Sequence, residues 1–289
     1  MIEAFLAAWR SFPYGFGSGV LVAALCGVVG IHIVLRRMVF VAMALSQMAT
    51  LGVALALFME RFLSGHEDPH AGHPWFHCLA DPALLSFLFV LLGMALVWAV
   101  RNRGGMSSEA WLGGLTAVAS GASILVIAGS PHGLDEVKNL LFADFLLVQE
   151  DGFRTLLVLS VMGISALLVF RRRFLLAGFD PDQARAVGVP PGRWLLALDL
   201  LTALTIAFTI RAGGSLVVFG LLILPPLGIL ASARRMKGIW LWSPAVGVAG
   251  TCLGITSSMA FDWPAGPAIV AAVALSSISV GLMRAKLFS

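Results

Sequence analysis

Residues 194–231 read WLLALDLLTALTIAFTIRAGGSLVVFGLLILPPLGILA, and this stretch decides the class of the protein. It contains two apolar runs, 194–210 and 213–231, with Asp199 inside the first and Arg211 between them. Each run is close to the roughly 20 residues that an α-helix needs to cross the hydrocarbon core of a bilayer. The stretch therefore predicts two successive membrane-spanning helices.

The rest of the chain repeats this pattern. Of its 289 residues 59% are hydrophobic and 12% are charged, whereas soluble domains carry roughly 25% charged residues. No linker or low-complexity segment separates the runs. We therefore predict an all-α membrane protein, a polytopic bundle of eight or nine transmembrane helices in a single domain, 1–289. The other apolar runs are 16–35, 39–62, 83–100, 108–129, 154–170, 239–260 and 267–283.

Basic residues predict the topology. They cluster after every second apolar run, and cytoplasmic loops carry the excess of Lys and Arg. We expect the N-terminus outside, the C-terminus in the cytoplasm and no removable signal peptide; only Arg211 breaks the pattern. Because the net charge of +4 is spread over span ends, we expect membrane lipid, not nucleic acid, around the chain. The clusters are Arg36 and Arg37; Arg101 and Arg103; Arg171, Arg172 and Arg173; Arg234, Arg235 and Lys237; and Arg284 and Lys286.

Two connections predict short helices. NLLFADFLLVQEDGF (139–153) is too short to span and ends in acidic residues, which indicates a short re-entrant helix on the outer side, packed inside protein. DPDQARAVGV (180–189) has Asp180 and Pro181 at a helix start and Gly188 at its stop. This second helix lies on the predicted cytoplasmic side. It is either a docking element for a soluble partner or a plain connector.

Five stretches occur along the chain in the order RRMVFVAMALSQMATLGVALAL, LLFADFLLV, DPDQARAVGV, LTALTIAFTIRAGGSLVVFGLLILPP and FDWPAGPAIVAAVAL. Together they resemble the permease subunits of ATP-binding cassette (ABC) importers for zinc, manganese and iron, over residues 16 to 283. The resemblance implies a homodimer in the plasma (inner) membrane of a prokaryote, with a divalent metal ion as substrate. It also implies an ABC ATPase subunit that uses the ATP, an extracytoplasmic metal-binding protein, and no catalytic residues in this chain. The 180–188 segment then becomes the coupling helix, with Asp180, Asp182, Arg185 and Gly188.

The substrate pathway departs from that family. Its members usually carry an Asp and, four residues later, a His in the second span, but this chain has Met43 and Gln47 there. Neither residue is charged, which leaves the transported ion open. Asp144 matches an LFGD-like turn of the family. Asp199 either lines the pathway or pairs with an arginine or backbone donors, since a carboxylate inside a span is costly alone. His32 is expected to be a packing residue.

HEDPHAGHPWFH (66–77) holds four of the six histidines. Pro69 and Pro74 argue against a continuous helix. A loop can still bring three or four imidazoles, which suit zinc, around one cation. We expect either an outer metal collector or a solvated polar loop. The metal-site candidates are His66, His70, His73 and His77.

Three alternatives remain open at this level. The same architecture can carry a metal chelate or another small solute, which Met43 and Gln47 favour. A cation-coupled secondary carrier would need more intramembrane charge and no ATPase. A membrane enzyme with zinc in the histidine loop would call for an HExxH motif on a helix. HEDPH (66–70) has those letters, but Pro69 argues against the helix that would place both imidazoles on one face. The sequence has no GxxxxGK[ST] motif.

Overall fold

The computed structural model describes residues 12–64, 81–103, 108–128, 145–230 and 236–287, and within them all regular structure is helical. Eight helices are long and apolar enough to cross a membrane, which confirms the all-α prediction. The helices are α1 (Pro13–Leu35), α2 (Val39–Ser64), α3 (Pro82–Arg103), α4 (Ser108–Ala128), α5 (Glu150–Val169), α6 (Arg171–Phe179), α7 (Pro181–Ala186), α8 (Pro191–Leu230), α9 (Met236–Phe261) and α10 (Ala265–Leu287), with a 3-10 turn at Phe145–Leu147.

Hydroxyl side chains inside the helices bond to their own backbone. In α8, Thr202 donates to the Leu198 carbonyl at 2.9 Å, and Thr209 donates to the Thr205 carbonyl at 2.6 Å. A buried hydroxyl without an acceptor would be costly in hydrocarbon. These local bonds let polar residues occupy apolar spans without a partner from another helix.

Helices α1 and α8 form the centre of the bundle. Helix α1 packs against α5, α8 and α9, while α2 packs against α3, α4 and α8. Hydrogen bonds join helices within and between these groups. The Ser243 hydroxyl of α9 donates to the Gly27 carbonyl of α1 at 2.7 Å, and the Ser86 hydroxyl of α3 donates to the Ala207 carbonyl of α8 at 3.0 Å. Small residues at such contacts allow close backbone approach in membranes.

Helix α8 reverses direction at Gly214. A straight helix of 40 residues would be about 60 Å long, twice the roughly 30 Å of a hydrocarbon core. Gly214 has φ 72° and ψ 167°, values that favour glycine. Asp199 contacts Arg36 at the end of α1, yet Leu222, 23 residues later, lies against Gly30, only six residues further back on α1. The two halves are therefore antiparallel, as the separate runs 194–210 and 213–231 predict.

The segment 139–153 differs from the prediction. Residues 139–144 lie outside the described part of the chain. Phe145–Leu147 form a 3-10 turn, and Glu150 and Asp151 lie in the first turn of α5. The acidic residues therefore begin a spanning helix, where they complement its N-terminal dipole, and do not end a short re-entrant one. Phe145 is fully buried and approaches both Gly19 of α1 and Gly213 of α8.

Candidate functional site

The basic end of the bundle is the end where Arg36, Arg37 and Arg171–Arg173 lie, and it carries α6 and α7. Helix α7 begins as its sequence predicts. The Asp180 carboxylate accepts a hydrogen bond from the Gln183 amide at 2.9 Å, and Pro181 occupies the first turn. An aspartate cap followed by proline is a favoured helix start.

The end of α7 is equally well defined. The Val189 amide donates to the Ala184 carbonyl at 2.8 Å, and the Gly188 amide donates to the Arg185 carbonyl at 3.1 Å. This pair of bonds is a Schellman motif, and Gly188 occupies its left-handed position with φ 77°. A helix of six residues is too short to be stable alone. These capping bonds fix both of its ends.

Helix α7 presents most of its side chains to solvent. Ala184 is buried and fixes the helix to the protein, whereas Val187 is 66% exposed. Arg185 and Asp182 form an exposed ion pair at 2.6 Å. The result is a small, rigid projection with charged and apolar contacts available to another protein.

Aromatic side chains attach α6 to the bundle. Phe174 packs edge-on against Trp194 of α8 at 5.4 Å between ring centroids, and the Arg173 guanidinium lies 5.0 Å from the Trp194 centroid. On the other side His32 of α1 contacts Phe174 at 5.9 Å and Trp240 of α9 at 5.3 Å. These contacts connect α6, and through it α7, to α1, α8 and α9. They agree with a packing role for His32.

Asp199 is paired with an arginine. Its carboxylate accepts a hydrogen bond from the Arg36 guanidinium at 2.6 Å, and the two side chains are only 12% and 11% exposed. The bond joins the turn between α1 and α2 to the first half of α8. Of the two roles that the sequence leaves open for Asp199, the geometry provides the pairing with an arginine.

One face of α2 is uncovered. Met43 and Phe58 are 37% and 51% exposed, and Gln47 follows Met43 by one helical turn on that face. The Gln47 side-chain oxygen is buried without a hydrogen-bond donor among the described residues. An unsatisfied amide is unfavourable against lipid. This face therefore suits contact with protein or an aqueous path better than contact with acyl chains.

The remaining candidates fall elsewhere. His66, His70, His73, His77 and Asp144 lie outside the described residues. Within the described ranges no three His, Cys, Asp or Glu side chains come together as a metal site. The sequence does not identify Arg36 as the partner of Asp199, because an arginine pair after a span is in itself only a topology signal.

The sequence and the fold have known counterparts. The model of the ABC 3 transport family matches residues 14–283. The high-affinity zinc uptake system membrane protein ZnuB of Haemophilus influenzae is 24% identical over 88% of this chain and 90% of its own length. The manganese import system permease protein ScaB of Streptococcus gordonii is 23% identical over 95% and 93%. The solved structure of PsaBC from Streptococcus pneumoniae in complex with Fab superposes with a TM-score of 0.79 at 22% identity, covering 98% of this chain and 95% of that chain.

Proposed function

The chain belongs to the ABC 3 transport family, and we propose that it is the membrane-spanning permease subunit of an ABC importer for a divalent metal ion. The match over residues 14–283 carries this proposal. As a member of this family the chain is a transport subunit and not an enzyme. ATP is hydrolysed by a separate ATPase chain.

Helix α7 is the contact with that ATPase. It is exposed, rigidly capped at Asp180 and Gly188, and attached through Ala184 and α6 to three spanning helices. A projection that moves with the bundle can transmit a displacement of the partner into the membrane. The basic end is then cytoplasmic, in agreement with the positive-inside rule, in the inner membrane of a prokaryote.

The uncovered face of α2 lines the translocation pathway with a second copy of the chain. Met43 is exposed, and the partly buried Gln47 lies one helical turn further along the same side of α2. A two-fold dimer would bring two such faces together. The Gln47 side chain, whose buried oxygen has no hydrogen-bond donor among the described residues, would then turn toward partner groups or water. Asp144, outside the described residues, belongs to the same proposal.

Met43 and Gln47 bear on the chemistry of the cargo. Thioether and amide groups carry no charge and hold hard or borderline divalent ions weakly compared with carboxylate and imidazole. The described face therefore suits brief contact with a metal ion, and it equally favours a neutral or chelated metal as a second candidate cargo. The substrate is delivered by an extracytoplasmic metal-binding protein.

The main proposal is tested by transport. The full chain is reconstituted in liposomes with an ABC ATPase and an extracytoplasmic metal-binding protein from the same organism, and uptake of radioactive zinc and manganese is measured. We expect uptake that requires ATP and the ATPase. Metal uptake driven by an ion gradient without ATP would instead show a secondary carrier, and ATP-dependent uptake of a chelate alone would show the second cargo.

The histidine loop, His66 to His77, gathers metal at the outer surface. Replacement of His66, His70, His73 and His77 together by Ala should reduce uptake at scarce metal and leave it nearly normal at abundant metal, because a collector raises local concentration without forming the route. Uptake against metal concentration is the measurement. Uptake abolished at saturating metal would place these histidines in the route itself.

A further inference from the structure

An amphipathic groove of about 670 Å³ opens at the basic end between α2, α3, α4 and α6. Its floor is apolar and comes from spanning helices, including Phe40, Leu96 and Val118. Its mouth lies beyond the apolar spans and carries Arg36, Arg37 and Gly178. A volume in this range suits a small-molecule ligand. The groove therefore crosses the boundary between hydrocarbon and headgroups.

The mouth of the groove carries positive charge, and the described carboxylates neutralise only part of it. The lining contains two arginines and no carboxylate among the described residues. Arg36 is neutralised by Asp199. Arg37 is exposed and forms no ion pair with a carboxylate in the described ranges. One free cation thus lies where an apolar groove meets the headgroup layer.

The backbone at Arg37 adopts a conformation that favours glycine, which indicates that the arginine side chain has a function at this position. The Met38 amide donates to the Ile33 carbonyl at 2.9 Å and the Arg37 amide to the Val34 carbonyl at 3.0 Å, so α1 ends in a Schellman motif with Arg37 in the left-handed position at φ 57°. Glycine is the usual residue at this position, because a side chain there is strained. The Arg37 side chain forms no hydrogen bond or ion pair with another described residue, and a strained residue with such a side chain points to an external partner.

We propose that this groove binds one anionic phospholipid from the leaflet at the basic end. An acyl chain lies along Phe40, Leu96 and Val118, and the phosphate pairs with Arg37. Trp111, 53% exposed at the start of α4, lines the same mouth, and its amphipathic ring suits the headgroup level. The charge at the mouth selects an anionic lipid over a zwitterionic one.

Two pairs of variants separate headgroup from chain recognition. Arg37→Gly removes the charge and relieves the backbone strain, whereas Arg172→Gln removes an exposed charge of α6 that does not line the groove. A side chain at Gly114 would point into open space in the groove, while the neighbouring Gly113 is equally open but lies outside its lining. Gly114→Leu therefore fills the groove, and Gly113→Leu is its matched control.

The experiment is native mass spectrometry of the purified full-length chain, titrated with phosphatidylglycerol or phosphatidylcholine. We expect one phosphatidylglycerol per chain, retained at roughly fivefold lower lipid concentration than phosphatidylcholine, as one basic residue near a membrane surface provides. Arg37→Gly should remove that preference without lowering the melting temperature, and Arg172→Gln should keep it. Gly114→Leu should weaken retention of both lipids, and Gly113→Leu should not.

Three results would overturn the proposal. Equal lipid retention by Gly114→Leu and Gly113→Leu would show that the groove holds no lipid. An unchanged preference in Arg37→Gly would remove the phosphate contact. Normal lipid retention in Gly114→Leu together with loss of self-association, or of ATPase binding, would assign the groove to a protein. None of these results depends on whether the chain carries metal.

Discussion

The Arg36–Asp199 ion pair connects two segments of this apolar protein that are far apart in the sequence. Both side chains are largely buried, and the residues are 163 positions apart. Each charge alone would be costly so close to hydrocarbon. The net contribution of the pair to the free energy of folding is therefore small. Its main effect is to hold the turn before α2 against the first half of α8.

Replacing one residue of this pair should destabilise the protein more than replacing both. Asp199→Asn or Arg36→Gln alone leaves a buried charge without its partner, at a cost of about 3 kcal/mol. The double replacement Arg36→Leu with Asp199→Leu should recover much of that loss. Thermal unfolding of the three variants in detergent measures the coupling.

The exposed pair Glu150–Arg154, one helical turn apart on α5, is the control. Its neutralisation should leave the melting temperature nearly unchanged, because exposed pairs contribute little. A pathway role for Asp199 would give the opposite result: uptake lost in Asp199→Asn at unchanged stability.

Met43 and Gln47 test the cargo at the residue scale. Met43→Asp with Gln47→His places a carboxylate and an imidazole on one face of α2. If this face lines the pathway, the half-saturating concentration for free zinc or manganese should fall by at least about tenfold, the size of effect that even outer-shell partners have on metal affinity. The measurement is uptake against metal concentration. Met43→Asn with Gln47→Asn, which adds polarity without charge, should not reproduce the shift, and an identical response of both double variants would remove α2 from the route.

At the scale of one element, α7 depends on Gly188. Gly188→Ala puts a side chain in a left-handed position at a cost of roughly 1 kcal/mol and loosens the end of a helix of only six residues. We expect metal transported per ATP hydrolysed to fall by about half or more while the chain stays folded. Simultaneous uptake and hydrolysis assays give the ratio. Gly192→Ala, at a helical glycine with open space around it, should leave the ratio intact; equal ratios in both variants would contradict a coupling role for α7.

The elements differ in how far the sequence predicts them. Helix α7 is predictable to the residue because its signals are local: Asp180 and Pro181 start it, and Gly188 ends it. The apolar runs also predict the spans, because the length and hydrophobicity of a run are local signals as well. For segment 139–153 the prediction is wrong at Glu150 and Asp151, because an acidic pair is compatible with the end of one helix and with the first turn of the next.

Contacts between distant segments are beyond sequence patterns alone. Nothing near Arg36 indicates that its partner is Asp199, since the two meet only because α8 runs beside α1. The groove likewise requires three spanning helices and α6 to be placed together. The reversal at Gly214 is predictable in part. Adjacent glycines indicate a break in the helix, but only the positions of Asp199 and Leu222 along α1 show that the chain turns back.

At the scale of the whole molecule, the distribution of basic residues predicts which end faces the cytoplasm. The basic end holds α6, α7 and the turn at Arg36 and Arg37, and the turn at Asp262 and Trp263, between α9 and α10, lies at the opposite end. Both ends have exposed residues in described turns or short helices. Orientation can therefore be tested with one labelled position at each end.

We expect a membrane-impermeant thiol reagent, applied to intact cells, to modify a cysteine at Asp262 and to spare one at Gln183. Both positions are exposed, so that a difference reports the membrane barrier and not burial, and Cys26, Cys78 and Cys252 are replaced by Ala beforehand. Permeabilised cells provide the control, in which both sites should react. The positive-inside rule rests on the many basic residues at one end, whereas the described part of the opposite end carries Arg211, between the halves of α8, and Arg154, near the start of α5. Labelling of Gln183→Cys but not Asp262→Cys in intact cells would invert the whole bundle, and would move α7 to a side where no ATPase can reach it.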